Sequence, residues 1–395
     1  MYNHKYSRPA FRFAGHRSRS ARPRFVGQFI NPSLFVKKAE DFVTIEDTAT
    51  NNMFSDFNFH HQLISNIESK GYTKPTKIQD EVIPHVLANR DVLGIADTGT
   101  GKTAAFALPL INKIVNNPSE RILIMAPTRE LAIQIQQEFR SFTPGLRVYL
   151  ALAIGGAYIR QQIVDIRRGP NVIIGTPGRI KDLGERHVIN FKSFTTLVLD
   201  EVDRMLDMGF IADIKSIVNQ IPPQRQTLFF SATVNQREEA LISSFLHQPV
   251  RVAIKTANAS SHIEQDIVRV PRHDKERKLQ ELVSSSEFKK VLVFGSTHMI
   301  VERITTSLVG QGFKAMGLHG GKKQSQRQSI VRSFRENQVN ILVATDVAAR
   351  GLDIVDITHV INYDQPNSYE DYIHRIGRTG RGNSKGYALT FVDQN

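Results

Sequence analysis

Short apolar runs alternate with amphipathic helical stretches along most of this chain. The runs lie at residues 92–95, 122–125, 148–154, 172–174, 197–199 and 228–230, and then at 291–294, 341–344, 359–361 and 387–391. Such alternation is typical of a parallel sheet that is covered by helices on both faces. The pattern therefore predicts an α/β protein.

A polar stretch separates the two groups of predicted strands. Residues 255–264 read Lys-Thr-Ala-Asn-Ala-Ser-Ser-His-Ile-Glu, where the apolar pattern lapses. Small polar residues are typical of a flexible linker. We therefore predict a first domain at residues 51–254, a linker at 255–264 and a second domain at 265–395. A chain of 395 residues is long enough for two domains and a tail.

A glycine-rich turn follows the first apolar run. Residues 96–103 read Ala-Asp-Thr-Gly-Thr-Gly-Lys-Thr and lead into a helical pattern at 104–115. A turn between a strand and a helix directs backbone N–H groups and the helix dipole at one anion, which favours a polyphosphate. We predict a phosphate cradle in which Lys102 reaches the β- and γ-phosphates and Thr103 binds Mg²⁺. The cradle residues are Thr98, Gly99, Thr100, Gly101, Lys102 and Thr103.

The cradle motif is imperfect at its first position, where Ala96 replaces the usual glycine. The alternative is an ordinary glycine turn before a helix. A second strand that ends in a metal ligand is needed to favour the phosphate cradle over this alternative. The apolar run at 197–199 ends in Asp200 and Glu201. In nucleotide hydrolases such an Asp holds Mg²⁺ and the Glu positions or deprotonates the attacking water. The alternative is that both carboxylates only cap the following helix.

Several polar motifs follow predicted strands. In the first half they are Pro-Thr-Arg-Glu-Leu-Ala at 127–132, Gly-Gly at 155–156, Thr-Pro-Gly-Arg at 176–179 and Ser-Ala-Thr at 231–233. Because ligands bind at the carboxyl ends of parallel strands, these loops should share one face. The second half has no phosphate cradle, but residues 372–381 hold a histidine and three arginines. These cations favour an anion, which we predict to be nucleotide reached across the cleft between the domains.

Positive charge is concentrated at the N-terminus. The net charge is +13, and residues 1–39 hold nine Lys or Arg and no Asp or Glu. Arginines and aromatic residues interleave here without helical or strand periodicity, which predicts a disordered basic tail over residues 1–50. Such a tail can bind phosphates and stack on bases. A solubilising tail is one alternative, and an organelle transit peptide is another that the prolines make less favourable.

The remaining composition excludes several classes of site. The chain has no cysteine, which excludes disulfides, thiolate metal sites and cysteine nucleophiles. No uncharged apolar run approaches the roughly 18 residues of a membrane span. We expect a soluble protein with a cytoplasmic location.

With these motifs assembled, residues 54–391 closely resemble the DEAD-box family of ATP-dependent RNA helicases. The name-giving motif is here Asp200-Glu201-Val202-Asp203. The resemblance implies two tandem RecA-like domains, ATP and Mg²⁺ as cofactors, and RNA as the partner without sequence preference. Ribosomal and RNA-decay proteins are the candidate protein partners.

The resemblance also implies roles for individual residues. Phe54, Tyr72 and Gln79 match the adenine-binding motif, and Asp353 matches a ribose contact. Asp203 is expected to contact Ser231 and Thr233, and His374 to join the two halves. Arg378 and Arg381 match the arginine fingers. The implied RNA contacts are Thr128, Arg129, Gly155, Gly156, Thr176, Gly178, Arg179, Gln324, Arg327 and Thr345.

Two departures from the family pattern and two alternatives stay open. Val202 stands where the family usually has alanine, which adds bulk at a packed position. The sequence also ends at Asn395, where the family usually continues into a further helix. A DNA helicase or translocase is the alternative among enzymes. A second alternative is an RNA clamp that nucleotide switches on and off and that positions partners on RNA without unwinding duplexes.

Deleting residues 1–39 should make RNA binding less dependent on salt. Each phosphate neutralised on a single strand contributes about 0.7 to the slope of log affinity against log salt. If roughly three to five of the cations act together, the slope should fall by roughly 2 to 3.5. The loss should be similar for different RNA sequences, because phosphate contacts do not read bases. An unchanged slope would favour the solubilising or targeting alternatives.

Overall fold

The computed structural model of the chain describes residues 31–39, 50, 52–97, 99–234, 236–254, 262–349, 354, 356–380 and 384–394. The described residues form two α/β domains, each built on a wholly parallel sheet. Among the helices of these residues, none is both long and apolar enough to cross a membrane.

The first sheet has seven strands in the order β3-β4-β2-β5-β6-β1-β7. Its strands are β1 (Val92–Ile95), β2 (Ile122–Met125), β3 (Leu150–Ala153), β4 (Val172–Gly175), β5 (Thr196–Leu199), β6 (Gln226–Ser231) and β7 (Val250–Ala253). The six apolar runs of the first half correspond to β1 to β6. Strand β7 was not predicted, because this edge strand buries only Val252 fully and reads Val-Arg-Val-Ala.

Helices cover both faces of the first sheet. They are α1 (His61–Ser69), α2 (Lys77–Leu87), α3 (Lys102–Asn116), α4 (Arg129–Phe142), α5 (Ile159–Arg167), α6 (Pro177–Glu185), α7 (Val202–Asp207), α8 (Ile211–Val218) and α9 (Gln236–Phe245). Alternate residues of β2 point to opposite faces. Ile122 and Ile124 join the core beneath α1 to α4, whereas Leu123 and Met125 join the core beneath α6 to α9. This two-sided burial explains why the predicted strands are continuously apolar.

The second sheet has six strands in the order β10-β11-β9-β12-β13-β8. Its strands are β8 (Ile263–Val270), β9 (Val291–Phe294), β10 (Ala315–Leu318), β11 (Ile341–Ala344), β12 (His359–Asn362) and β13 (Gly386–Asp393). Its helices are α10 (Lys275–Val283), α11 (His298–Gly310), α12 (Gln324–Arg335), α13 (Asp346–Ala349) and α14 (Tyr369–Ile376). The four predicted runs of the second half correspond to β9, β11, β12 and β13. Two tandem parallel-sheet domains are therefore confirmed.

Two predicted boundaries were wrong. Strand β8 begins at Ile263, so the C-terminal end of the predicted linker belongs to the second sheet. The predicted disordered tail also includes a structured segment, because Pro32–Phe35 form a 3₁₀ helix and Phe35 is fully buried. This segment is ordered because Phe35 packs against residues that are distant in the sequence. The local periodicity of the segment does not indicate this packing. Residues 1–30 and 255–261 lie outside the described residues.

Candidate functional site

The glycine-rich turn sits between β1 and α3, as predicted. Gly99 and Gly101 have φ angles of 86° and 94°, in the left-handed region that glycine adopts without strain. Gly101 is the N-cap of α3, so the unpaired N–H groups of the first helical turn face the loop. A Cβ atom on Gly101 would lie 2.5 Å from Gln79 Nε2. The loop therefore has the form of an anion cradle with no room for a side chain at Gly101.

Gln79 holds the cradle against the N-terminus of α2. Its Nε2 donates a hydrogen bond to the Gly101 carbonyl at 3.1 Å, and its Oε1 accepts one from the Thr76 backbone N–H at 3.0 Å. The Thr76 hydroxyl donates to the Thr100 carbonyl at 2.8 Å. Sequence reasoning missed Thr76, although Thr76 and Gln79 have the spacing of a helix capping box.

Phe54 and Tyr72 lie together on the same domain. Their rings stack with centroids 6.4 Å apart, and both line a cavity of about 280 Å³ together with Thr73. Phe54 is buried and belongs to a 3₁₀ helix at Phe54–Phe57. The structure thus brings together two of the three residues that match the adenine-binding motif in one cavity wall.

Charged side chains are buried together where β5 ends. Lys102, Asp200 and Glu201 are only 7%, 3% and 8% exposed. Lys102 Nζ donates to the Ala96 carbonyl at 2.6 Å. Burial raises the pKa of Asp200 to about 7, because desolvation and the neighbouring acidic groups outweigh the opposing effect of Lys102. A buried carboxylate with so little compensating positive charge suits a hard divalent cation, which prefers oxygen ligands.

Glu201 has an unusual backbone conformation. Its φ angle of 51° is in the left-handed region, and its N–H donates to Asp200 Oδ1 at 3.0 Å. A non-glycine residue in this region costs on the order of 1–3 kcal/mol, and such strain is concentrated at functional sites. The sharp turn leaves Asp200, Glu201 and Asp203 buried at the start of α7. Thr103 lies half-buried at the first turn of α3.

The expected contact of Asp203 with Ser231 and Thr233 is not made in this structure. Among the described residues, neither Asp203 Oδ2 nor Ser231 Oγ has a hydrogen-bond partner. Thr233 instead donates its hydroxyl to Glu370 Oε1 of the second domain at 3.2 Å. This competing acceptor, which sequence reasoning missed, is the physical reason for the difference.

Helix α14 brings the second domain to the buried acidic group. The ligand atoms of Asp203, Glu370 and His374 all lie within 4.8 Å of one another, so His374 lies beside the first domain. Arg375 fixes the helix, because its Nε and Nη2 donate to the Asp346 carboxylate at 2.6 and 2.7 Å. Arg378 follows the helix and is buried. Thr98, Asp353 and Arg381 lie outside the described residues.

The predicted loops of the first domain meet on one face, because β3, β4 and β2 are neighbours in the sheet. Arg129 packs over Gly155 and Gly156, where a Cβ atom on Gly156 would lie 2.2 Å from Arg129 Nη1. Thr128 caps α4 by accepting from the Leu131 N–H at 3.2 Å. The structure therefore groups Thr128, Arg129 and the glycine pair.

The third loop of this face contributes Thr176, Gly178 and Arg179. Thr176 is buried at the N-cap of α6, and Gly178 is exposed. Arg179 Nη1 donates to Gln162 Oε1 at 3.2 Å. In the second domain, Thr345 is buried after β11. Desolvation and the nearby Arg327 and Arg179 lower the pKa of Arg129, which indicates that the cations of both domains converge.

Gln324 and Arg327 are buried against the first domain. Arg327 Nε and Nη2 donate to the two carboxylate oxygens of Glu130 at 2.8 and 2.7 Å, and Gln324 Nε2 donates to Glu130 Oε1 at 3.3 Å. Glu130 and Arg327 are both nearly inaccessible to solvent. This bidentate ion pair joins the two domains. Sequence reasoning missed Glu130, whose only signal is its place in the Pro-Thr-Arg-Glu motif.

Both domains of this chain match models of known protein families. The family model of the DEAD/DEAH box helicase matches residues 76–241, and that of the helicase conserved C-terminal domain matches residues 274–383. The ATP-dependent RNA helicase CshA of Limosilactobacillus reuteri is 42% identical over 344 residues, which cover 87% of this chain and 69% of that protein.

Solved structures of relatives match both domains. S. cerevisiae Dbp5 bound to RNA and ADP BeF3 is 28% identical, with a TM-score of 0.78 and coverage of 87% of this chain and 90% of that one. Mss116p bound to ssRNA and AMP-PNP is 26% identical, with a TM-score of 0.79 and coverage of 91% and 77%. A DEAD box protein from Methanococcus jannaschii is 37% identical, with a TM-score of 0.51 and coverage of 87% and 94%.

Removing the Glu130 carboxylate should release the two domains from each other. Glu130→Gln leaves Arg327 buried without a counter-charge, and breaking a buried pair costs about 3–5 kcal/mol. We expect the equilibrium constant of the joined arrangement to fall by roughly a hundredfold to several thousandfold. Energy transfer between dyes on Val164→Cys and Met299→Cys would measure this, since the chain has no other cysteine and both positions are exposed.

Glu138→Gln is the matched control for this experiment. Glu138 lies on the same helix and pairs with Lys70 of its own domain at 3.1 Å, so the interdomain distance should not change. Equal energy transfer in the Glu130 and Glu138 variants would show that the buried pair does not hold the domains together.

Proposed function

The chain belongs to the DEAD-box family of ATP-dependent RNA helicases, and we propose that it hydrolyses ATP at a site assembled from both domains. Single-stranded RNA lies across the same two domains in this proposal. The observation that carries it is the cross-domain approach of Asp203 to Glu370 and His374, next to the buried Asp200 and Glu201. The two domains must come this close for a catalytic base in one domain and arginines in the other to act on the same phosphate.

The nucleotide is held by the cradle and by the adenine motif. Lys102 exchanges its bond to the Ala96 carbonyl for the β- and γ-phosphates, while the loop N–H groups bind phosphate oxygens. The residues proposed for the phosphates are Thr98, Gly99, Thr100, Gly101, Lys102 and Thr103. Gln79, Tyr72 and Phe54 bind the base, and Asp353 binds the ribose. Gln79 links base and phosphate recognition, because its side chain already contacts Gly101.

The donor set at the end of β5 fits Mg²⁺. The Asp200 carboxylate is buried with a raised pKa, and the Thr103 hydroxyl lies at the start of α3. We assign these two residues to the metal. When bound, Mg²⁺ would neutralise charge on the phosphate oxygens and keep Asp200 ionised.

Hydrolysis depends on residues of both domains. Glu201 positions the attacking water and accepts its proton, and its strained backbone fixes the carboxylate at the turn. Arg378 and Arg381 come from the second domain and stabilise the charge that develops on the γ-phosphate. Four residues couple hydrolysis to closure of the two domains: Asp203, Ser231, Thr233 and His374. Asp203 Oδ2 and Ser231 Oγ are buried acceptor and donor without partners, so a small rearrangement can pair them.

RNA binds through its phosphates along the face formed by the loops of both domains. The proposed contacts are Thr128, Arg129, Gly155, Gly156, Thr176, Gly178, Arg179, Gln324, Arg327 and Thr345. Backbone contacts of this kind carry no sequence information, so binding is independent of sequence and sensitive to salt. The domain arrangement supports this proposal. It matches RNA-bound Dbp5 and Mss116p better than the more identical Methanococcus jannaschii protein. Ribosomal or RNA-decay partners and a cytoplasmic location stay predictions.

Glu201→Gln tests the proposed roles most sharply when it is paired with Lys102→Ala. The glutamine keeps the shape and nucleotide contacts but cannot accept a proton, so ATP hydrolysis should fall by orders of magnitude while ATP-dependent RNA binding persists. RNA should dissociate more slowly from this variant in ATP than from wild type. Lys102→Ala should lose hydrolysis and nucleotide binding together, because a phosphate-binding charge is removed.

Steady-state hydrolysis, nucleotide titration and RNA dissociation rates separate these outcomes. Near-wild-type hydrolysis by Lys102→Ala would refute the cradle assignment. If RNA left Glu201→Gln as fast as it leaves wild type in ATP, closure before hydrolysis would be refuted. Strand separation of a short RNA duplex by wild type would distinguish unwinding from an RNA clamp.

A further inference from the structure

A segment upstream of the first domain packs on the second domain. We call residues 31–39 the N-terminal strap. Phe35 of the strap is 0% exposed and packs with Ile263, Tyr372, Ile376 and Ala388, all of the second domain. Its ring lies 4.6 Å from that of Tyr372, centroid to centroid. Leu34 and Val36 on either side are about half exposed, so Phe35 is the residue that anchors the strap.

Main-chain hydrogen bonds fix the strap to the edge of the second sheet. The Lys37 N–H donates to the Gln265 carbonyl at 3.0 Å, and the Gln265 N–H donates to the Lys37 carbonyl at 2.8 Å. Strand β8 is an edge strand, and this bridge pairs part of its outer edge. Gln265 also accepts a hydrogen bond from the Tyr372 hydroxyl at 3.0 Å. The strap, β8 and Tyr372 therefore form one connected unit.

Tyr372 belongs to the helix that faces the first domain. On α14, Tyr372 and Ile376 pack against the strap cluster, whereas Glu370 and His374 reach Thr233 and Asp203. Residues two and four positions apart on a short helix move as one body. A shift at Tyr372 therefore moves His374 and the following Arg378. The Phe35 side chain is fully buried, so its removal would leave a cavity behind this helix.

We propose that the N-terminal strap is a positioning element for α14 and that Phe35 is its positioning residue. The strap sets where Glu370, His374 and Arg378 stand relative to the first domain. It lies upstream of both matched family models, which begin at residues 76 and 274. The inference rests on the proposed role of Arg378 in hydrolysis, whereas docking of the strap can be measured without hydrolysis.

The strap also joins the domains a second time. Phe35 is anchored on the second domain, while Phe54 is buried in the core of the first. The chain therefore passes between the domains both within residues 36–53 and within residues 254–263.

Phe35→Ala in the full-length chain tests the proposal. Hydrogen–deuterium exchange should be faster at the strap and at α14, because the anchor behind the helix is lost. At saturating ATP and RNA, kcat should fall by roughly tenfold to a hundredfold, since misplacing a catalytic group by about 1 Å can cost on the order of 10²-fold. The affinity of the RNA-free protein for nucleotide should not change, because the proposed cradle belongs to the first domain.

Three variants control for unfolding and for the basic residues at positions 1–30. Leu34→Ala removes a half-exposed neighbour and should leave exchange and kcat unchanged. Phe35→Leu keeps an apolar anchor and should restore most of kcat. Deletion of residues 1–30 removes most of the basic tail but keeps the strap, and it should weaken RNA binding without lowering kcat at saturating RNA.

The outcomes separate the strap from the proposed function. If the wild-type strap exchanges as fast as an unprotected peptide, docking is refuted. If Phe35→Ala releases the strap but kcat stays within about twofold of the Leu34→Ala control, the positioning role is refuted while the hydrolysis assignment stands. If Phe35→Ala also loses nucleotide affinity, the defect is global instability and the positioning role is again refuted.

Discussion

The burial of charge at the carboxyl end of the first sheet is the constraint on which this molecule depends. Lys102, Asp200, Glu201 and Asp203 are all buried away from water. Buried charges are costly unless they are paired, and desolvation by burial, together with the neighbouring Glu201 and Asp203, raises the pKa of Asp200 against the opposing effect of Lys102. A metal-bound polyphosphate supplies opposite charges to both kinds of group. The protein without its ligand therefore contains buried charges that a bound ligand would stabilise.

The same constraint explains the contribution of the second domain. Its helix α14 carries His374 to Asp203 and is followed by Arg378, while Arg375 fixes the helix to Asp346. The buried Glu130–Arg327 pair makes a second junction, on the face where we propose that RNA binds. In the proposed function, nucleotide and RNA bind between the same two domains. Binding of either ligand would then be coupled to the domain arrangement that the other ligand needs.

Local sequence patterns predicted the sheets where strands are buried on both faces. Strand β2 reads Ile-Leu-Ile-Met, and each of its residues is fully buried. Strand β10 reads Ala-Met-Gly-Leu, which has no β-branched residue, and the edge strand β7 includes an exposed arginine. The spacing of glycines and carboxylates predicted the cradle and the end of β5. The roles of Glu130, Glu370 and Phe35 were not predicted. Their partners are distant in the sequence, and a local sequence pattern does not show such contacts.

The central claim is that one hydrolysis site is shared between two domains, and the turnover of Arg378→Ala tests it most directly. The matched control is Arg332→Ala, an exposed arginine of the same domain that pairs only with Glu336 among the described residues. Our account predicts that RNA-stimulated kcat falls by about 10³-fold or more in Arg378→Ala while nucleotide affinity without RNA is kept. RNA-stimulated hydrolysis by Arg378→Ala at the rate of the Arg332→Ala control would contradict a shared site.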